Sequence, residues 1–239
     1  MKRVLLFPLL AAVTHAQGPL TPPAGPPGPT MKSLDQVEPR IPLTAATAPP
    51  DASSAYVLSQ PGSYYLTGNV AAAGKANAIT IQAAGVTLDL GGFSVTGASN
   101  QGIRLTTTAR ATLRNGFIDA SGGTHAIRAE GSLVAEDLTL RGSTGNLLQA
   151  TAPASLRRCL LEGAGGGAFL GAGASRVVDS IVRDIAGGSA VILRGDGSEV
   201  RDCQLARITL TAPYAQAIDM GGSAHRVFGN RIGPVGGRG

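Results

Sequence analysis

From about Ala78 to Gly233 the chain alternates short apolar-x-apolar runs with turns of glycine and small polar residues. The clearest copies are AITIQAAGVTLDLGGFSVTG (78–97), GIRLTTTARATLRNGFIDAS (102–121), AIRAEGSLVAEDLTLRGS (126–143) and AVILRGDGSEVRDCQLARI (190–208). Each copy holds a short strand, a turn, and a second strand that opens on an aliphatic. Those aliphatics are Leu88, Leu113, Val134, Leu156, Val177, Val200 and Val227, at spacings of 25, 21, 22, 21, 23 and 27 residues. A period of this size marks a solenoid, in which a coil buries its apolar face only by stacking on the next. The alternation has period two and its runs are bounded by turn residues, which is the signature of strands. No segment carries the apolar stripe of a long helix. The expected fold is all-β: a single-stranded parallel β-helix of about seven or eight coils, right-handed as parallel crossovers are.

Stacking in register turns each repeated position into a column of side chains about 4.8 Å apart. Ile79, Ile103 and Ile127 of the first strands, and Leu113 through Val227 of the second, form the inward columns. Three residues beyond each second-strand aliphatic stand Gly116, Asp137, Cys159, Ser180, Cys203 and Asn230, small or polar residues suited to a sharp corner. Thr80, Arg104, Arg128 and Gln149 lie between the apolar residues of the first strands and face outward. Arg104 and Arg128 are then neighbours at about 5 Å. They repel unless an anion bridges them, and arginine grips carboxylate or sulfate in a planar fork, so this pair is the candidate ligand-binding site. A second outward column of Arg114, Arg157 and Arg201 is diluted by Ala135 and Val178.

Asp179 and Asp202 stack one coil apart, which brings their carboxylates near the ~5–5.5 Å of a retaining glycosidase pair. Arg158 in the same column, with Arg183 and Arg201 close by, supports an ion-pair ladder instead. Glu162 and Arg183 also align as neighbours. His125 and His225 fall in different coils, no Ser-His-Asp set assembles, and no catalytic residue is assigned. Cys159 and Cys203 occupy one column two coils apart with Ser180 between them. That is roughly 9.6 Å, beyond the ~7 Å reach of a disulfide, so two free, buried thiols are expected. No Cys/His cluster has metal-ligand spacing.

Glycine makes up 34 of 239 residues, which suits several tight turns per coil; tryptophan is absent and aromatics are only 4%, which argues against a stacked-indole sugar platform. Lys2 and Arg3 followed by the apolar run Val4–Val13 and Thr14-His15-Ala16 read as a secretory signal, cleaved after Ala16, and too short to span a bilayer. Without Lys2 and Arg3 the formal charge drops from +5 to +3 (5 − 2), and there is no basic run for nucleic acid. Residues 17–50 hold ten prolines and read as an extended linker, with MKSLDQVEPRIPL (31–43) as a stretch that docks on something. Order is expected from about Tyr56, where three tyrosines shield the first coil. No capping element follows the Val227 coil, so self-association through that edge is a further expectation.

SYYLTGNV and the segment AITIQAAGVTLDLGGFSVTG resemble the right-handed parallel β-helix proteins of the pectate-lyase-like superfamily. The resemblance covers about residues 28–239 and is closest to uncharacterised secreted bacterial β-helix repeat proteins, which join a signal peptide and a Gly/Pro-rich stretch to the helix. It implies an extracellular, periplasmic or cell-surface protein and polysaccharide as its partner. Superfamily enzymes act on acidic polysaccharides with a carboxylate-bound calcium and a basic catalytic residue, or with Asn-x-Asp, Asp-Asp and Gly-His-Gly motifs. This chain has no Asp-Asp pair and no Gly-His-Gly. The expectation is therefore a noncatalytic scaffold or carbohydrate-binding module without a cofactor. The alternatives are a lyase or hydrolase of uronate-containing glycans, in which calcium would enter and Arg104 or Arg128 would neutralise the uronate, and a self-assembling surface protein.

Overall fold

The computed structural model describes residues 40–237; the expected leader at 1–16 and the expected linker as far as residue 39 lie outside the described residues. Every regular element among the described residues is a strand, and the strands stack in parallel ladders as a β-solenoid of about nine turns. Each full coil contributes to three faces. The first face runs from Ser54–Leu58 through Asn77–Ile81, Gln101–Leu105, His125–Ala129, Leu148–Ala150, Phe169–Ala172 and Val191–Arg194 to Ile218–Gly221. The second runs from Ile41–Pro42 through Gly62–Tyr65, Ala84–Asp89, the leading halves of Arg110–Asp119 and Ser132–Arg141, Ala154–Arg157, Arg176–Val178 and Glu199–Arg201 to Arg226–Phe228. The third takes the trailing halves of those two long strands, then Leu160–Ala164, Ile181–Gly187 and Gln204–Leu210.

The extra turn relative to the seven or eight expected comes from the N-terminal side. Ile41 and Pro42 pair with Tyr64 and Tyr65, and Leu43 and Ala48 enter the core. Ordered pairing thus begins well before Tyr56, and the last residues of the 17–50 stretch belong to the solenoid. A proline is tolerated there because an edge strand need not donate at every position. Arg40 reinforces the rung by lying 5.0 Å over the Tyr65 ring.

The core is a stack of in-register aliphatics: Ile79, Ile103, Ile127, Leu148, Phe169 and Val191 follow one another on the first face, all buried. Each such side chain contributes about 1.5–3 kcal/mol of burial free energy. On the second face one rung departs from expectation. Ala135, 0% exposed, pairs with Leu113 and Leu156, whereas Val134 is 39% exposed and points outward. The inward pairs read Ala111/Leu113, Leu133/Ala135 and Ala154/Leu156, so bulk changes columns at this rung. The size exchange keeps the interior filled and hid the register in the run Leu133-Val134-Ala135. Two column assignments shift by one with it: Leu138, not Asp137, pairs with Gly116, and Glu136, not Ala135, stands between Arg114 and Arg157. In the last described coil Val227, Phe228 and Ile232 are exposed.

Candidate functional site

The structure makes Arg104 and Arg128 register partners on adjacent rungs, flanked by Thr80 and Gln149. An internal carboxylate stands with them. Glu130, on the bend after His125–Ala129, approaches Arg104 Nη2 at 3.4 Å and Arg128 Nε at 3.3 Å. Arg128 Nη1 also donates to Gln149 Oε1 at 3.0 Å. His125, register partner of Gln101, sits half-buried beside this group with its Nδ1 2.9 Å from Thr124 Oγ1.

Burial, and then the charge of Arg128, hold the His125 imidazole below its ordinary value, against a hydrogen bond with Gln149 that acts the other way. A neutral histidine in the native state means that the unfolded chain binds the extra proton first. This contribution to stability is whole above about pH 6.5 and is lost as pH falls through the lowered native value. The urea midpoint should therefore drop between pH 7.5 and pH 5, and His125→Gln should remove that part of the drop; an unchanged slope in the variant refutes the assignment.

Asp179 and Asp202 do stack one rung apart, and backbone geometry explains why they are aspartates. Each second-to-third-face corner puts one residue in the left-handed region: Asn115 (φ 60), Asp137 (φ 53), Arg158 (φ 52), Asp179 (φ 50) and Asp202 (φ 54). Asn and Asp tolerate that conformation better than other non-glycine residues. Both carboxylates face solvent, Asp202 is held by Arg201 at 2.8 Å, and Asp137 accepts both prongs of Arg158 at 2.7 Å. This is the corner of the fold. Asp179→Val should cost about 1–2 kcal/mol in thermal unfolding, while Asp179→Asn should stay within about 0.5 kcal/mol; equal losses in the two variants contradict a conformational role.

Cys159, Ser180 and Cys203 form the next column inward, and both thiols are free and buried. Ser180 Oγ accepts the Cys159 N–H at 3.1 Å and donates to the Val178 carbonyl at 2.8 Å. Burial pushes the Cys159 thiol up to about 11, and raises Cys203 as well, so neither is disposed to act as a nucleophile.

A concave surface of another kind lies elsewhere. A groove of about 460 Å³ crosses the outside of the second face. Its floor is the outward column Thr87, Thr112, Val134 and Ser155, which continues to Arg176 rung by rung. Gly85, Arg110, Ser132 and Pro153 line one side, and no aspartate or glutamate lines the groove. Arg110 is exposed and makes no ion pair with a described residue, and Arg176 only reaches Glu199 at 3.9 Å. Hydroxyls that both donate and accept, with guanidinium groups toward either end, suit a ligand rich in hydroxyl and anionic oxygens. The sequence reading missed this column because it turned Val134 inward; the spacing Thr112, Val134, Ser155, Arg176 was the available signal. A second depression, of about 420 Å³ on the third face, contains Asp119, Glu162 and Asp184. Those carboxylates are already paired with Arg141, Arg183 and Arg207. Among the described residues no cluster of three or more His, Cys, Asp or Glu side chains could hold a metal ion, and no helix is long and apolar enough to cross a membrane.

Comparison with protein-family models, with curated proteins and with solved structures finds no match.

Proposed function

We propose that this protein is an exported, noncatalytic β-helix of the pectate-lyase-like kind that binds acidic carbohydrate along its second face. The groove carries the reading: three of its four floor residues, Thr87, Thr112 and Ser155, bear hydroxyls, its charged residues are Arg110 and Arg176, and no carboxylate lines it to oppose an anion. Export is supported by Lys2, Arg3 and the apolar run Val4–Val13. The test is a glycan array probed with the chain lacking residues 1–16. Uronate-containing glycans should be retained over neutral glycans of equal length, and retention should weaken with salt as exposed charges are screened. Equal retention of neutral and acidic glycans refutes the reading. Products absorbing in the near ultraviolet from pectate or alginate would show lyase turnover and overturn its noncatalytic part.

A further inference from the structure

Arg104 and Arg128 together carry two positive charges, and Glu130 returns one negative. The contacts of 3.3 and 3.4 Å are long for charge-assisted hydrogen bonds, which settle at about 2.7–2.9 Å. They are also longer than the tightest ion pairs of this protein. Arg158 meets Asp137 at 2.7 Å, Arg183 meets Glu162 at 2.6 Å and Arg194 meets Asp219 at 2.7 Å. In those three pairs the carboxylate lies on a neighbouring rung. Glu130 lies on a bend two residues past Arg128 and reaches both arginines from the side. Arg104 Nε finds no acceptor at all. Of the other groups facing the pair, Gln149 accepts from Arg128, the Thr80 hydroxyl is engaged with Ser54 at 2.8 Å, and half-buried His125 carries no negative charge. No second carboxylate pairs with either arginine among the described residues.

We infer that Arg104 and Arg128 form a site for one oxyanion, a carboxylate or sulfate group, and that Glu130 is its displaceable internal occupant. An incoming oxyanion with two or more oxygens accepts from both guanidinium groups at once. Glu130 then turns outward about its own side-chain bonds, with no change to the ladder. The site is on the first face and the groove is on the second, so neither depends on the other.

Isothermal titration at constant ionic strength, with sodium sulfate exchanged for sodium chloride, tests this. Glu130→Gln should bind sulfate at least tenfold more tightly than the wild type, and Arg104→Gln with Arg128→Gln should abolish saturable binding. A Glu130→Gln affinity no tighter than wild type overturns the inference, as does sulfate binding that survives loss of both arginines. Thermal unfolding guards against a misfolded variant: added sulfate should raise the melting temperature of Glu130→Gln more than that of wild type, and an equal rise counts against the site. Glucuronate that competes with sulfate shows a seat for a sugar-borne carboxylate, and sulfate binding without such competition assigns the seat to the free ion. Arg110→Gln with Arg176→Gln should leave sulfate binding unchanged; its loss there would move the anion to the groove and overturn this site while leaving the groove reading intact.

Discussion

Phe169→Ala should destabilise the protein by about 3–5 kcal/mol, a large part of the roughly 5–15 kcal/mol typical of a folded domain. Phe169 heads the largest fully buried side chains and lies in register between Leu148 and Val191. Its ring fills more than its own place. A Cβ on Gly171, the next inward residue of the same strand, would fall 2.6 Å from Phe169 Cζ and 3.0 Å from Leu193 Cδ2. One large and one absent side chain therefore share the volume that two aliphatics such as Ile103 and Leu105 fill three rungs earlier on the same face. The sign of a second substitution follows. Gly171→Ala alone should destabilise by overpacking, by about 1–3 kcal/mol, yet in the Phe169→Ala background it should restore stability by filling the cavity. Urea unfolding of the two single variants and the double variant measures the coupling. A Gly171→Ala cost that is the same in both backgrounds would refute this account of the packing.

The same exchange of bulk explains what the sequence disclosed and what it concealed. Period and strand type were legible because Ile79, Ile103 and Ile127 repeat at one inward position with little change of size. The rung at Leu133-Val134-Ala135 was not, because three consecutive apolar residues fit either register and only the sizes of Ala111 and Ala154 on the neighbouring rungs decide between them. A slip of one residue exchanges the faces of every side chain in a strand, and here it scattered the groove column. The first rung was hidden by composition: Ile41-Pro42 lies inside the proline-rich stretch 17–50 and pairs through only two residues. Register was enough to place Arg104 beside Arg128 and Asp179 beside Asp202. It could not reveal Glu130, which acts from a bend outside the repeating columns, nor show that the aspartates answer to a left-handed corner. Columns follow from periodicity, whereas the neutralising partner and the backbone conformation depend on where turns bring the chain in space.

Replacing both groove arginines, Arg110→Gln with Arg176→Gln, should weaken binding of an acidic oligosaccharide about a hundredfold. A hydrogen bond to a charged group contributes about 1.5–3 kcal/mol, and these exposed side chains belong at the lower end. Since about 1.4 kcal/mol is tenfold in affinity, each single variant should lose about tenfold. Three rungs separate the strands that carry the two residues, or roughly 14 Å along the stack. At that separation the two losses should add. A ligand that touches both must lie across the rungs, parallel to the axis of the solenoid, so shortening the oligosaccharide until it reaches one arginine should abolish the effect of replacing the other. Direct titration of the wild type, both single variants and the double variant at fixed salt measures this. Arg141→Gln with Arg207→Gln, on the third face and outside both proposed sites, provides the control for nonspecific loss of positive charge. An affinity within about twofold of wild type for the groove variant, or an equal loss in the third-face control, would remove the groove as the binding surface, because either result leaves no specific role for the two guanidinium groups at its ends.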